Sequence, residues 1–262
     1  MKIHTSLGHF GFAGRRGMIQ GTHYTDPRLA ALYDALNPPG ADTDFYLRLA
    51  QGAPKRVLDL GCGTGQLAAV LASRGHAVTG VDPAAAMLEI GRRQPDGERV
   101  DWVEGDARGV ALDRRFDLII MTGHAFQVFL TDADIRAVLA NARRHLAPEG
   151  RFALETRNPA ARAWEGWTPE ATRRHVTLAG IGAVEIHIRV TSMAGDVVGF
   201  ETHHRFAADG ALRISRSRLR FLDQAALAGH LVEAGFGTVR WAGDWDGSPI
   251  TPHSREIIAV AG

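Results

Sequence analysis

Residues 57–66 read VLDLGCGTGQ. An apolar run, Val57, Leu58 and Leu60, is interrupted by Asp59 and breaks into Gly61, Gly63 and Gly65. A buried strand that opens into closely spaced glycines predicts a turn whose backbone passes close to a bulky ligand. The dinucleotide loop is spaced G-x-G-x-x-G, and its third glycine would fall at Gln66. A glutamine there puts a long side chain where that loop needs close helix–strand packing. No G-K-[ST] follows, so a Walker loop is excluded. Asp59 at the strand's end is poorly matched to phosphate and suits an ammonium group.

Outward from the loop, strands and helices alternate. Residues 56–60 read as a strand and 64–74 as a helix with Leu67, Val70 and Leu71 on one face, stopped by Gly75. Residues 77–81 are a strand, and Asp82-Pro83 opens the next helix. Strands follow at 100–103 and 116–121. Residues 132–146 form a helix capped by Thr131, with Ile135, Val138, Leu139, Ala142 and Leu146 as its buried stripe. Pro148-Glu149-Gly150 predicts a turn, and 151–155 a fifth strand. Such alternation implies an α/β fold with a mostly parallel, doubly wound sheet covered on both faces. Upstream, 26–36 read as one short helix capped by Asp26, and 42–51 as a second.

The pattern changes after Thr156. Residues 176–221 alternate apolar and polar without helices, and Ala208-Asp209-Gly210 marks a hairpin, so an antiparallel β sub-domain is inserted. A helix at 223–234 and strands at 237–241 and 256–260 complete the chain. The expected organisation is an N-terminal arm and lid helices (1–51), a ligand-binding core (52–156), the β insertion (157–222) and core completion (223–262). Residues 1–17 are glycine-rich and aperiodic, and Met18 opens a more ordinary N-terminus.

Two further acids stand at strand ends. Asp82 lies where an acid accepts ribose hydroxyls. Asp106, in GDA at 105–107, is placed to accept from an adenine amino group. A ligand with an adenosine, an aminoacyl cation and no phosphate is S-adenosylmethionine. VLDLGCGTG, VDPAAAML, GDA, FDLIIMTGHAF and LAPEGRFALE, in that order, resemble the motif set of class I S-adenosylmethionine-dependent methyltransferases. The resemblance spans about residues 55–156 and implies a seven-stranded sheet of order 3-2-1-4-5-7-6, with S-adenosyl-L-homocysteine as product.

Carried over by residue, it places Asp59, Gly61, Cys62, Gly63 and Gly65 at the methionine end and Asp82 on the ribose. Pro83 and Met87 flank the adenine, Asp106 and Ala107 meet its amino edge, and Thr122 begins the segment lining the methyl-donor side. Four have a structural alternative: Asp82 as a helix cap, Asp106 as a turn residue, Met87 as core, Cys62 as a small loop residue. His124 is the candidate catalytic base, or else a loop hydrogen-bonder or a contact of the cofactor. Tyr24, with Tyr33 and Tyr46, belongs to a lid-like segment, and Tyr24 is a candidate contact of the reacting groups. Arg157, Trp164, Trp167, Trp241 and Trp245 are candidate pocket walls.

The acceptor is expected to be a small molecule methylated at N or O. Net charge is +1, with lysine only at Lys2 and Lys55, so no nucleic-acid or membrane footprint stands out. The aminomethylating motif of nucleic-acid enzymes is replaced by Met121-Thr122-Gly123-His124, and the lone cysteine, Cys62, sits in the glycine loop rather than in a Pro-Cys nucleophile. The insertion resembles that of small-molecule N-methyltransferases, where it roofs the pocket or makes a homodimer contact. His203 and His204 are adjacent on a strand and face opposite sides, so no metal site is expected. One cysteine and no apolar membrane-length segment point to the cytoplasm. The rivals are a non-catalytic S-adenosylmethionine binder, a methyltransferase of macromolecules, and an NAD-dependent oxidoreductase, the last disfavoured by Gln66 and Asp59.

Overall fold

A computed structural model describes Tyr24 and residues 26–262. The expectations for residues 1–17 and Met18 lie outside the described residues.

Two one-turn helices come first, α1 (Pro27–Ala30) and α2 (Tyr33–Leu36), then α3 (Ala41–Leu49). Residues 26–36 are therefore broken, not one helix. The α/β alternation follows: β1 (Arg56–Leu60), α4 (Gln66–Ser73), β2 (Ala77–Asp82), α5 (Ala85–Gly91), β3 (Asp101–Glu104), β4 (Phe116–Met121), α6 (Asp132–His145) and β5 (Leu146–Arg157). The insertion holds α7 (Pro169–Thr172), β6 (Arg174–Leu178), β7 (Gly182–Ala194), β8 (Val197–Phe206) and β9 (Leu212–Arg220). Helix α8 (Gln224–Glu233), β10 (Val239–Ala242) and β11 (Glu256–Ala261) close the chain.

The main sheet has seven strands in the order β3-β2-β1-β4-β5-β11-β10, which is the expected 3-2-1-4-5-7-6 once the insertion strands are set aside. Strands β3 to β5 are parallel, and β11 runs antiparallel between β5 and β10. The two faces separate by residue parity, as pleating requires. Leu58, Leu60, Ile119, Met121, Phe152 and Leu154 pack against α6 and α8. Val57, Leu118, Ile120 and Ala153 pack against α3 and α4. The second sheet, β6-β7-β8-β9, is antiparallel throughout. Its Val184, Ile186 and Phe206 pack on Leu29 and Leu32, so the insertion presses on α1 and the α1–α2 junction.

Two local expectations are corrected. The buried residues of α4 are Ala68, Ala69, Leu71 and Ala72, while Val70 is 37% exposed. Small alanines let the helix lie close on the sheet, and Val70 turns to solvent. Pro148-Glu149-Gly150 is not a turn between elements, because β5 already pairs with β4 at Phe116–Leu146 and continues through a register shift. A Cβ at Gly150 would lie 2.8 Å from the Phe116 carbonyl oxygen, so only glycine permits that approach. Among the described residues, no helix is long and apolar enough to cross a membrane.

Candidate functional site

The parallel strands point their carboxyl ends to one side, where Asp59, Asp82, Glu155 and Arg157 terminate their strands or nearly so. Asp59 is 1% exposed, and its Oδ1 is buried without a hydrogen-bond partner. Burial, then the charges of Asp82 and Glu155, push its pKa from 3.8 up to about 8. A buried carboxylate left short of a donor is costly unless a cation or N–H meets it.

The glycine loop is pinned to β2. Gly61 and Cys62 N–H donate to the Val81 carbonyl at 2.7 and 3.0 Å. Gly63 N–H donates to Asp82 Oδ2 at 2.9 Å, while Asp82 Oδ1 accepts from Ala84 N–H at 2.8 Å. Asp82 thus ties the loop to the entry of α5, and each of its oxygens retains a second lone pair. Gly61, Gly63 and Gly65 all have positive φ, 76°, 56° and 68°. The ring of Tyr33 lies across the loop, 3.7 Å from where a Gly63 Cβ would stand. At Gly65 the close neighbour is internal: a Cβ would overlap the indole of Trp102, which also fills the space above Gly80 and Gly91. Cys62 turns its sulfur toward Gly80, and burial raises its thiol pKa well above the ordinary value.

The 3₁₀ turn after β4 carries His124 in the left-handed region, φ 59°. Its N–H donates to Glu155 Oε1 at 2.8 Å, and its Nε2 pairs with Glu256 Oε2 at 2.8 Å. The other Glu155 oxygen accepts from the Tyr46 hydroxyl. Arg157 Nη1 donates to Gln127 Oε1 at 2.8 Å, and its guanidinium lies 5.6 Å from the Trp167 ring. Tyr24 is tilted on Tyr33 with centroids 6.3 Å apart. Burial, then the charge of Asp82, push the Tyr24 pKa up to about 12, so its hydroxyl stays protonated.

The adenine-side candidates are more enclosed. Met87 is fully buried, and Tyr24 and Tyr33 pack against its cluster with Ala30 and Ala84. Pro83 lies between β2 and α5. Asp106 is held by Arg108, whose Nε and Nη2 reach its two oxygens at 2.9 and 2.5 Å, and Arg108 Nη1 continues to Asp134 at 2.5 Å. These bonds from Arg108 hold the Asp106 carboxyl below its usual pKa. Ala107 is 8% exposed, and Thr122 precedes the turn that bears His124.

A family described as a methyltransferase domain matches residues 57–150. Cypemycin N-terminal methyltransferase of Streptomyces sp is 31% identical over 213 residues, covering 79% of this chain and 82% of that one. The chain belongs to the class I S-adenosylmethionine-dependent methyltransferases. Demethylmenaquinone methyltransferase of Thermus thermophilus is 38% identical, over 48% of this chain and 61% of that one. In fold, this methyltransferase is similar to CcbJ of Streptomyces caelestis, with TM-score 0.72 at 23% identity and coverage of 91% and 98%. It is also similar to S-adenosylmethionine-bound CalS10, an amino pentose methyltransferase of Micromonospora echinaspora, with TM-score 0.64 at 25% identity and coverage of 88% and 97%.

The cofactor of the methyltransferase is S-adenosylmethionine. The residues present fit its amino-acid end, since Asp59 presents an unpartnered buried carboxylate oxygen beside the glycine loop. Among the described residues, no group of three or more His, Cys, Asp or Glu is placed to hold a metal ion.

Asp34 and Glu256 carry no sequence signal, and the partners of the aromatic candidates are set by the fold. Asp34 of α2 accepts from the Thr64 hydroxyl and from Gln94 Nε2, latching the lid helix to the glycine loop. Glu256, 132 residues from His124, arrives through β11. Tyr46 serves Glu155 from α3, on the face where Trp245 packs at 6.2 Å. Trp164 and Trp167 turn to Phe221 and Phe200 of the insertion, and Trp241 joins the core cluster. Tyr46→Phe removes the hydroxyl that supports ionised Glu155, whose pKa burial already raises. The variant is expected to lose about 1–3 kcal/mol in urea denaturation, with the loss growing as pH rises. An unchanged midpoint would show that the hydroxyl does not support this carboxylate.

Proposed function

We propose that this methyltransferase moves a methyl group from S-adenosylmethionine to a nitrogen or oxygen of a small-molecule acceptor. The observation that carries this reading is the closure of the strand ends. Helices α1 and α2 lie over the glycine loop, and the insertion sheet packs on them. That roof suits a small acceptor better than a duplex. The names of the relatives, quinone and amino-sugar methyltransferases among them, support the same class.

The bound donor supplies a methyl group already activated by a sulfonium. The chain has to hold it, align the acceptor and exclude water. Asp59 takes the donor ammonium, the loop from Gly61 to Gly65 with Cys62 shapes the methionine pocket, and Asp82 takes the ribose. Pro83, Met87, Asp106 and Ala107 border the adenine, and Thr122 borders the methyl. Tyr24, kept protonated, offers a hydroxyl to the reacting groups. His124 is the base: with Nε2 held by Glu256, its Nδ1 is the nitrogen that can accept the acceptor's proton.

Assay with methyl-tritiated donor against amino-sugar, amine and quinol acceptors, read by mass spectrometry, tests the acceptor class; transfer only to macromolecules rejects it. A second reading, methylation of a peptide amino terminus, is favoured by the name of the cypemycin relative, and the same assay with peptides decides between them. His124→Ala is expected to lower kcat by about a hundredfold or more while donor affinity stays within about twofold. Equal turnover in both proteins removes His124 as the base.

The reading also includes a cytoplasmic location, supported by the single cysteine. The reading further includes a homodimer contact through the insertion. Light scattering after gel filtration tests the dimer, and a monomer rejects it.

A further inference from the structure

The methyl donor leaves Arg157 of the crevice unexplained. It ends β5 and is neither fully buried nor free in solvent. No carboxylate oxygen of a described residue lies within 4.0 Å of its guanidinium. Residues 1–23 and Thr25 contain no aspartate or glutamate that could serve instead. Its partner is a neutral amide, Gln127 Oε1, and Gln127 is itself fixed by donating Nε2–H to the Arg220 carbonyl.

Glu256, opposite Arg157 in the β5–β11 ladder, and Glu155 support its charge from a distance, but their oxygens bond to other groups. Glu155 accepts from Tyr46 and from His124 N–H, and Glu256 holds the His124 ring. Two other half-buried guanidinium groups each meet two carboxylates. Arg220, 15% exposed, meets both Asp132 and Asp196. Arg108 meets both Asp106 and Asp134. Of the arginines lining the 630 Å³ cavity at the opposite end of the strands, Arg56 meets Asp117 and Arg114 meets Asp101, while the exposed Arg115 and Arg144 donate to neutral oxygens.

A second unmet donor stands on the same wall. Trp164 Nε1 is buried without a partner. Trp164 and Trp167 share Phe221, at 4.6 and 6.0 Å between ring centroids, and Trp167 also packs on Phe200 at 4.9 Å. The wall therefore combines a planar five-donor cation, a spare indole N–H and apolar ring faces. A guanidinium of this kind recognises carboxylate or phosphate oxygens by its fork geometry.

Resting on the methyltransferase reading, we propose that Arg157 docks an oxyanion, carboxylate or phosphate, carried by the methyl acceptor, whose apolar body lies against Trp167, Phe200 and Phe221. Desolvation lowers the Arg157 pKa by more than the charges of Glu256 and Glu155 raise it, so an anion in direct contact relieves the remaining cost of a cation set among protein walls. The acceptor is thus an acidic molecule, with its nucleophilic N or O held on the His124 side and its anion on the Arg157 side.

The test uses the full chain saturated with S-adenosylhomocysteine and fluorine NMR titration of 4-fluorobenzoate, 4-fluorophenyl phosphate and 4-fluorobenzamide. At least one anion is expected to bind about tenfold or more tightly than the neutral amide, and the tighter of the two names the oxyanion. Arg157→Gln should abolish that preference while S-adenosylhomocysteine affinity stays within about threefold. If Arg157→Gln does not fold, Arg157→Lys, which keeps the charge and loses the fork, should weaken the preferred anion about threefold or more. Equal binding of the amide and both anions, a preference that survives either substitution, or a tenfold loss of S-adenosylhomocysteine affinity in Arg157→Gln overturns the assignment. Wild-type protein that fails to bind S-adenosylhomocysteine sinks the methyltransferase reading instead, and is told apart by that first titration.

Discussion

Asp59→Asn is expected to stabilise the ligand-free protein above neutral pH and, in the same variant, to weaken donor binding by about tenfold to a hundredfold. The two effects share one cause. Burial, with Asp82 and Glu155 nearby, raises the folded pKa from 3.8 to about 8. The folded protein therefore binds more protons than the unfolded chain between those values. The stability that the neutral acid contributes is fully present below 3.8 and is lost as pH rises toward 8. Asparagine has the same shape and no charge, so it removes that loss. Urea denaturation of both proteins at about pH 5 and about pH 9 should show a smaller decline in the variant. Parallel pH profiles would mean that Asp59 is not the strained acid. For the donor, the charge is what counts, and asparagine gives up a charge-assisted hydrogen bond to the ammonium. Ammonium binding also pulls the Asp59 pKa down. Calorimetry near pH 7 in buffers of different ionisation enthalpy should then register release of a fraction of a proton, up to about one. No proton release, with donor affinity unchanged in Asp59→Asn, would remove Asp59 from the donor site.

Gly65→Ala is expected to cost about 2–5 kcal/mol of stability, the sum of left-handed strain on a residue with a Cβ and an overlap with a packed side chain. Gly65 has φ 68°, and its missing Cβ is where the Trp102 indole lies. Trp102 cannot retreat easily, because its ring also lies 2.9 and 2.8 Å from where Cβ atoms of Gly80 and Gly91 would stand, and its Nε1–H donates to the Gly97 carbonyl at 2.8 Å. The two contributions can be separated. In a Trp102→Ala background the overlap is gone, so Gly65→Ala should cost only the backbone strain, about 1–2 kcal/mol. The same cost in both backgrounds would show that Trp102 is not what demands the glycine. This outcome reshapes the meaning of the third glycine. Its spacing separates the loop from a dinucleotide loop, and its chemistry is explained by a tryptophan of β3.

Much of the fold was legible because its signals are local. The β–α alternation from Arg56 to Arg157, the left-handed glycines after β1 and the caps at Asp26 and Thr131 depend on residues a few positions apart. Misjudged details arose where packing outweighed local pattern. Val70 matched the helical spacing but lost the buried face to Ala68 and Ala72. Pro148 and Gly150 carried a turn signature, yet strand pairing with Phe116 absorbed them into β5.

The site divides in the same way. Sequence alone determined that acids would stand at the ends of neighbouring strands around a glycine turn, since each follows its own buried run, and that the donor would be S-adenosylmethionine. Tertiary structure alone decided how those groups are coupled. Tyr46 meets Glu155 from 109 residues away, His124 meets Glu256 from 132, and Asp34 latches Thr64 from 30. Arg157 was visible as a basic residue after a strand, but not as a guanidinium without a carboxylate. Its state depends on which partners the fold has already given to Glu155 and Glu256. Periodicity and spacing encode the path of the backbone, while the satisfaction of a buried charge is settled only when distant segments close around it.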